Sequence, residues 1–329
     1  MKRVVTFGEV MLRLTASGHR RLSQAAEFEA VYGGSEANAA VSLCNYGSPA
    51  ALVTRLPENA LGEAALRSLR ACGVDVSGVV RGGNRLGLYF VERGISYRKQ
   101  GILYDRAGSS MAMAAPEDFD WETAFADADW FHFSGVTPAL GAGCAPAVQE
   151  ACRIAKQKGL TVSCDLNYRE PLWSRTEAER VMSGLMPYVD VCLAYEEEPQ
   201  DIFGICPAEG ASREEGHRQM ARALRERFGF SLVAVTSSRA RSAMSHDWSA
   251  MLFDGEEYYF SRRYEVDAVD RIGGGDAFSG ALIHAVRRDW EPQQIVEFAA
   301  AAGCLKYTVE GDCNAVTEAE VAQLAGIAL

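Results

Sequence analysis

The chain has 329 residues, 48% of them hydrophobic and 23% charged, enough apolar material for a sizeable buried core. Its formal net charge of −11 comes without a basic patch, so no nucleic-acid partner is expected, and no apolar run reaches the length of a membrane span. The nine cysteines show no C-x-x-C spacing, which argues against a zinc ribbon or redox pair and reads as reduced thiols acting as small hydrophobes.

From the start of the chain, Val4 to Phe7 is a short apolar run that predicts a buried strand. It is too short for the core of a signal peptide, so a cytoplasmic location is expected. Further strands are predicted at Ala51 to Val53, Trp130 to Phe133, Leu160 to Cys164, Val189 to Leu193 and Leu232 to Thr236. Between them lie amphipathic helices at Glu36 to Tyr46, Ala60 to Cys72, Ala145 to Lys158, Thr176 to Met186 and Glu214 to Phe228, with others near the C-terminus. Strands alternating with helices predict one α/β domain over residues 1–329, with a mostly parallel sheet covered on both faces.

Two stretches break that rhythm. Leu12 to Tyr32 shows no helical pattern. Leu86 to Ser110 reads as two strands around Gly94, namely Gly87 to Arg93 and Tyr97 to Tyr104. Together, about residues 12–32 and 86–110 predict a small β-sheet flap inserted in the α/β domain. The alternative is extra edge strands of the main sheet.

The most informative segment is Asp270-Arg271-Ile272-Gly273-Gly274-Gly275-Asp276-Ala277-Phe278-Ser279-Gly280, which opens a helix predicted to run from Ala277 to Arg287. Glycines allow positive φ and close approach of the backbone to a ligand. At a helix N-terminus their N–H groups and the helix dipole favour an anion, and a phosphoryl group suits that geometry. Asp276, in the first turn, reads by itself equally well as a helix cap. Other phosphate signatures are missing: there is no G-x-x-x-x-G-K-[ST], and no G-x-G-x-x-G after the first strand. H-E-x-x-H is also absent, and the five histidines show no ligand spacing. Phosphoryl transfer to an alcohol needs an in-line hydroxyl, neutralised phosphate charge and a group to take the proton. Gly273, Gly274 and Gly275 are the candidate anion hole, and Asp276 is the candidate base.

These residues resemble the C-terminal signature of the PfkB (ribokinase-like) carbohydrate kinases, D-T-x-G-A-G-D, with Arg271 and Gly274 where Thr and Ala are common. Gly33-Gly34-Ser35-Glu36-Ala37-Asn38 resembles the N-terminal signature, and the resemblance runs from Phe7-Gly8-Glu9 to Gly311-Asp312. It implies a ribokinase-like three-layer α/β/α fold with a β-sheet lid, and an enzyme using ATP and Mg²⁺. Within the family the chain is most similar to the 2-keto-3-deoxygluconate kinases, through Gly8-Glu9-Val10-Met11-Leu12-Arg13-Leu14, Tyr104-Asp105-Arg106-Ala107-Gly108-Ser109-Ser110 and Asp165-Leu166-Asn167-Tyr168-Arg169-Glu170-Pro171-Leu172-Trp173.

By that resemblance Gly34, Asn38, Tyr89, Tyr104, Arg106, Arg169 and Asp312 bind the sugar. Arg106 and Arg169 suit its carboxylate, because a guanidinium binds a carboxylate through two parallel hydrogen bonds. Each of these reads differently when taken singly: Arg106 as a surface charge, Arg169 as a loop corner, Tyr89 and Tyr104 as strand aromatics, Asp312 as a turn residue. The segment Ser237 to Ser242 and the helix near Ala301 to Leu305, with Ser237 and Ala302 as their representatives, are the expected adenine walls, together with Gly273 and Gly275 at the phosphates. Glu198 matches the acid of the family's N-x-x-E, which organises magnesium through water, but Tyr195 stands where Asn is usual. The expected partners are an acidic sugar and ATP, with a homo-oligomer through the lid and a monovalent cation near Asp270 both left open. The competing readings are a fructokinase, a 5-keto-2-deoxygluconate kinase, or a sugar-binding regulator without catalysis.

Overall fold

The computed structural model describes residues 1–329. Its strands are β1 (Arg3–Phe7), β2 (Met11–Ala16), β3 (Phe28–Gly33), β4 (Ala50–Leu56), β5 (Val79–Arg81), β6 (Gly87–Glu92), β7 (Gly101–Asp105), β8 (Ala128–Ser134), β9 (Thr161–Asp165), β10 (Val191–Tyr195), β11 (Leu232–Ala240), β12 (Ser245–Phe253), β13 (Tyr258–Phe260) and β14 (Tyr264–Asp267). The helices are α1 (Ser35–Asn45), α2 (Ala60–Ala71), α3 (Trp121–Ala124), α4 (Cys144–Gln157), α5 (Arg175–Leu185), α6 (Glu198–Phe203), α7 (Arg213–Phe228), α8 (Gly274–Val286), α9 (Pro292–Lys306) and α10 (Glu318–Ala325). No helix is long and apolar enough to cross a membrane.

Ten strands form the main sheet, in the order β13-β12-β11-β10-β9-β8-β1-β4-β5, with β14 also pairing β12. From β5 to β11 every neighbour is parallel. Parallel strands covered on both faces read as continuous apolar runs, and β1 shows why. Val4 packs into the core on one face, with residues of α1, α8 and α9. Val5 and Phe7 enter the core on the other face, with residues of α4, α5 and α7. Polar side chains set several helix starts: Asn59 accepts from the amides of Leu61 and Gly62, Ser174 from Glu177, and Ser212 from Glu215.

The stretches without helical rhythm form a separate four-stranded sheet, ordered β3-β2-β6-β7. The predicted second strand at Tyr97 to Tyr104 is shorter than expected. An Ile95–Arg98 bridge with Ser96 at φ 54° uses those residues as a tight turn, and regular pairing begins only at Gly101.

The antiparallel end of the main sheet, β12 to β14, has no counterpart among the predicted strands. The segment Ser245-His246-Asp247-Trp248-Ser249 mixes polar and apolar side chains, yet His246, Asp247 and Trp248 are all buried in succession. Neither an alternating nor a continuous apolar pattern marks it.

Candidate active site

The carboxyl ends of β9, β10 and β11, the start of α8 and the inner face of the small sheet enclose an open cleft of about 590 Å³. Crevices at strand ends are where open α/β sheets bind ligands. Gly34, Asn38, Tyr89, Tyr104, Arg106, Arg169, Glu198, Asp312 and the segment Gly273 to Asp276 all line it.

Ser237 and Ala302 do not. Side chains alternate along a strand, so Thr236 and Ser238 of β11 face the cleft while Ser237 turns away to meet the Ser249 hydroxyl at 3.1 Å. Ala302 is fully buried in the α8–α9 core. Ser238 and Ala240 of the same segment do line the cleft, beside Trp248, Tyr307 and Phe278.

Helix α8 begins three residues earlier than its apolar pattern suggests, with Gly273 as N-cap at φ 89°. The Gly274 amide closes a turn onto the Arg271 carbonyl at 3.3 Å. The amides of Gly275 and Asp276 are left without a main-chain acceptor, as the first N–H groups of a helix are. Gly274 also explains its own departure from the common pattern, since a Cβ there would collide with the Tyr307 ring. The glycine admits this tyrosine to the cleft wall, where it lies 5.6 Å from the Trp248 ring.

The Asp276 carboxylate is fully specified. Oδ1 accepts from the Ser35 hydroxyl at 2.9 Å and Oδ2 from Asn38 Nδ2 at 2.7 Å. Asn167 donates in turn to Ser35 Oγ at 3.0 Å. Asn167, two residues beyond β9, stands at φ 38°, a left-handed conformation that asparagine tolerates better than most residues. Burial holds the Asp276 carboxyl above the ordinary aspartate value, opposed by the bonds from Asn38 and Ser35. Next to Ser35 in the first turn of α1, the buried Glu36 accepts from the Ser134 amide at 2.9 Å and the Thr137 hydroxyl at 2.7 Å. These bonds tie the start of α1 to the end of β8.

On the small-sheet side, Tyr89 stacks on Tyr104 at 5.6 Å, and its hydroxyl donates to Asp312. Arg106 differs from the open guanidinium expected of it. Its Nε reaches Glu9 Oε2 at 2.8 Å, its Nη2 bonds the same oxygen, and Ser109 donates to the other. Arg169 is exposed at the rim and is held only by a bond to the Tyr168 carbonyl at 3.1 Å. Of the two, Arg169 is the guanidinium more open to a new anion.

The cleft is also lined by two carboxyls, the half-buried Asp165 at the end of β9 and the buried Glu198 at the start of α6. Glu198 accepts from the amides of Tyr168 at 3.0 Å and Tyr195 at 2.8 Å. Burial raises both groups above the ordinary carboxylate value, and each site's charge adds to the cost of ionising its neighbour. Tyr195 contributes its backbone to this arrangement, and its hydroxyl points away to the Ser238 carbonyl at 3.1 Å. The exchange of Asn for Tyr therefore leaves the Glu198 cradle in place.

Sequence reasoning assigned no role to Arg13, Asp165, Lys306 or Tyr307. Arg13 sits between Leu12 and Leu14 in an apolar strand, and that placement was its available signal.

Comparison with known proteins follows the same lines. A family model described as pfkB family carbohydrate kinase matches residues 1–319. A crystal structure of 2-dehydro-3-deoxygluconokinase from Thermotoga maritima is 45% identical and superposes with a TM-score of 0.96, covering 99% of this chain and 98% of that one. The 2-dehydro-3-deoxygalactonokinase of Haloferax volcanii is 33% identical over 97% of this chain and 95% of its own length. The 2-dehydro-3-deoxygluconokinase of Thermoproteus tenax is 29% identical over 95% and 90% respectively.

Proposed function

Because the chain belongs to the pfkB family of carbohydrate kinases, we propose that it transfers the γ-phosphoryl group of ATP to the terminal C6 hydroxyl of 2-keto-3-deoxygluconate, giving 2-keto-3-deoxy-6-phosphogluconate and ADP. The observation that carries this reading is Asp276, a half-buried carboxylate beside unpartnered helix-start amides, oriented through both oxygens by Ser35 and Asn38. Similar proteins named for 2-dehydro-3-deoxy sugar acids, an alternative name for this substrate class, support the choice of sugar.

In this mechanism the sugar lies between Asp276 and the small sheet, which acts as a lid over one α/β unit. The Asp276 carboxylate orients the C6 hydroxyl and takes its proton as the oxygen–phosphorus bond forms and the bond to ADP breaks. The amides of Gly275 and Asp276 meet the negative charge of the transferring group. Arg169 binds the substrate carboxylate, and Glu9, fixed by Arg106 and Ser109, presents its remaining acceptor sites to sugar hydroxyls. A closed lid keeps water from competing with the sugar.

Asp165 and Glu198 suit a magnesium ion. Both are acids whose charged form the surroundings disfavour and a cation would favour. No cluster of three or more ligating side chains is present, which fits an ion that keeps several waters and binds mainly to phosphates. When bound, it would neutralise triphosphate charge. In β7, Leu103 is exposed on the side away from the cleft, and a homo-oligomer formed through the lid would cover it.

Coupled ADP release over a panel of acidic and neutral sugars, including both C4 epimers of the deoxy-keto acid, tests the proposal. A better rate on fructose or ribose would overturn the substrate. Arg169→Ala should lower kcat/KM on the acidic sugar about 10- to 100-fold, the worth of a charged hydrogen bond, while changing a neutral sugar far less. An equal loss on both would remove Arg169 from carboxylate recognition.

Asn38→Ala removes a bond that favours the ionised form of Asp276. The acid limb of the kcat–pH profile, which tracks the protonated and inactive base, should therefore move to higher pH. A limb that stays in place would show that it reports another group.

A further inference from the structure

We propose that Lys306 is a tethered cation that holds the glycine turn in its anion-binding shape, occupying by covalent attachment a place otherwise suited to a monovalent cation. The inference rests on the kinase reading above.

Lys306 is the last residue of α9 and is fully buried. Its Nζ donates to the main-chain carbonyls of Val309 at 3.0 Å and Asp270 at 3.4 Å. Its Cε lies 3.2 Å from the place a Cβ on Gly273 would take, so the side chain runs directly beneath the first glycine of the turn. The residue does not line the cleft, and its part is one of positioning.

The surroundings are strongly charged. The Asp270 carboxylate accepts from Arg13 Nη2 at 2.5 Å and from the amides of Ile272 and Gly311, both at 3.2 Å. Arg13 Nη1 reaches the Asp312 carboxylate at 2.9 Å. Two cations and two anions thus balance beneath the turn. The cluster ties β2 of the lid to Asp270, three residues before the turn's first glycine.

A lysine in the last turn of a helix often only complements the helix dipole from the surface. Lys306 instead spends its charge in the interior, and one of its acceptors belongs to another segment, at Asp270. Burying a charge is costly, and well-packed apolar residues commonly replace buried ions without loss of stability. A retained cation under an anion hole therefore points to an electrostatic task. Carbonyl oxygens are also the donors that replace the hydration shell of a potassium ion. The ammonium fills such a set here, so no free ion is needed.

The wild-type enzyme should accordingly turn over at rates within about twofold in potassium, sodium or tetramethylammonium salts. Several-fold activation by potassium would overturn the proposal, and this series requires no variant. Lys306→Met should lower kcat about 100-fold, the scale of losing one oxyanion-type interaction. Sugar KM and the ADP dissociation constant should stay within about threefold, and added potassium or ammonium should restore at least about tenfold of the rate. Wild-type kcat in the variant, or a loss that no cation restores, would each count against a tethered cation.

A readout independent of the sugar is the ratio of affinities for a non-hydrolysable ATP analogue and for ADP, measured by calorimetry. That ratio should fall about tenfold in Lys306→Met, because the lost charge lies under the γ-phosphate site. An unchanged ratio would sink the inference whatever the sugar panel gives. A failed panel with a fallen ratio would sink the substrate assignment alone.

Discussion

Asp276→Asn should lower kcat by about 10²- to 10⁴-fold, the span supplied by a positioned acid–base group, and leave ATP affinity within about twofold. The substitution preserves shape. The new amide oxygen can accept from Asn38 Nδ2, and the new NH₂ can donate to Ser35 Oγ, whose proton is then free to turn elsewhere. What disappears is the capacity to take a proton.

Stability should move the other way. Burial raises the Asp276 carboxyl in the folded state. The contribution of such a group to stability is present at low pH and lost as pH rises through its folded value. At neutral pH the wild type therefore carries the cost of a partly desolvated charge that the variant lacks, and the variant's Tm should be equal or higher. Single-turnover assays, calorimetric ATP binding and thermal melts read the three effects. Turnover within tenfold of wild type would remove Asp276 as the base.

How much of this site could be read from sequence depends on what each residue does. Asp276 and the glycines before it were legible because backbone chemistry demands them in order: an αL N-cap, free amides, then a carboxylate in the first turn. The apolar runs of β1, β8, β9, β10 and β11 announced the parallel sheet, because both of its faces are covered. The residues missed act through partners distant in sequence. Arg13 meets Asp270 and Asp312, and its place between two leucines marks it as unusual without naming those partners. Lys306 ends the largely apolar helix α9, where a lysine reads as a surface cap until the chain beyond it folds over. Within Ser237 to Ser242, it is Ser238 and Ala240 that face the cleft and Ser237 that turns away, because the phase of alternation along β11 is set by its neighbours β10 and β12. Arg106 was rightly associated with the cleft, but its pairing with Glu9 spans the gap between the two sheets, and no spacing encodes that.

The second large effect separates the shape of the anion hole from the space inside it. Gly273 stands at φ 89°, and a Cβ there would collide with the main-chain oxygen of Asp312 and crowd Lys306. Gly273→Ala should therefore shift the turn, lowering kcat about 10²- to 10³-fold as the donors lose aim. It should also lower stability by about 1–3 kcal/mol, the cost of a strained backbone position. Gly275, two residues on, lies within α8, and a Cβ there would meet no protein atom within 4 Å. Alanine is favoured over glycine inside a helix, so Gly275→Ala should melt no lower than wild type. Its methyl group would instead stand where the phosphoryl group is expected, and activity should fall with the fold intact. If the Gly275 variant kept full activity, the phosphate would have to lie elsewhere along the turn. If the Gly273 variant kept both stability and rate, the turn would be more compliant than its packing against Asp312 implies. Loss of rate in both, with loss of Tm only at Gly273, is the pattern required of a rigid, glycine-built anion hole in front of Asp276.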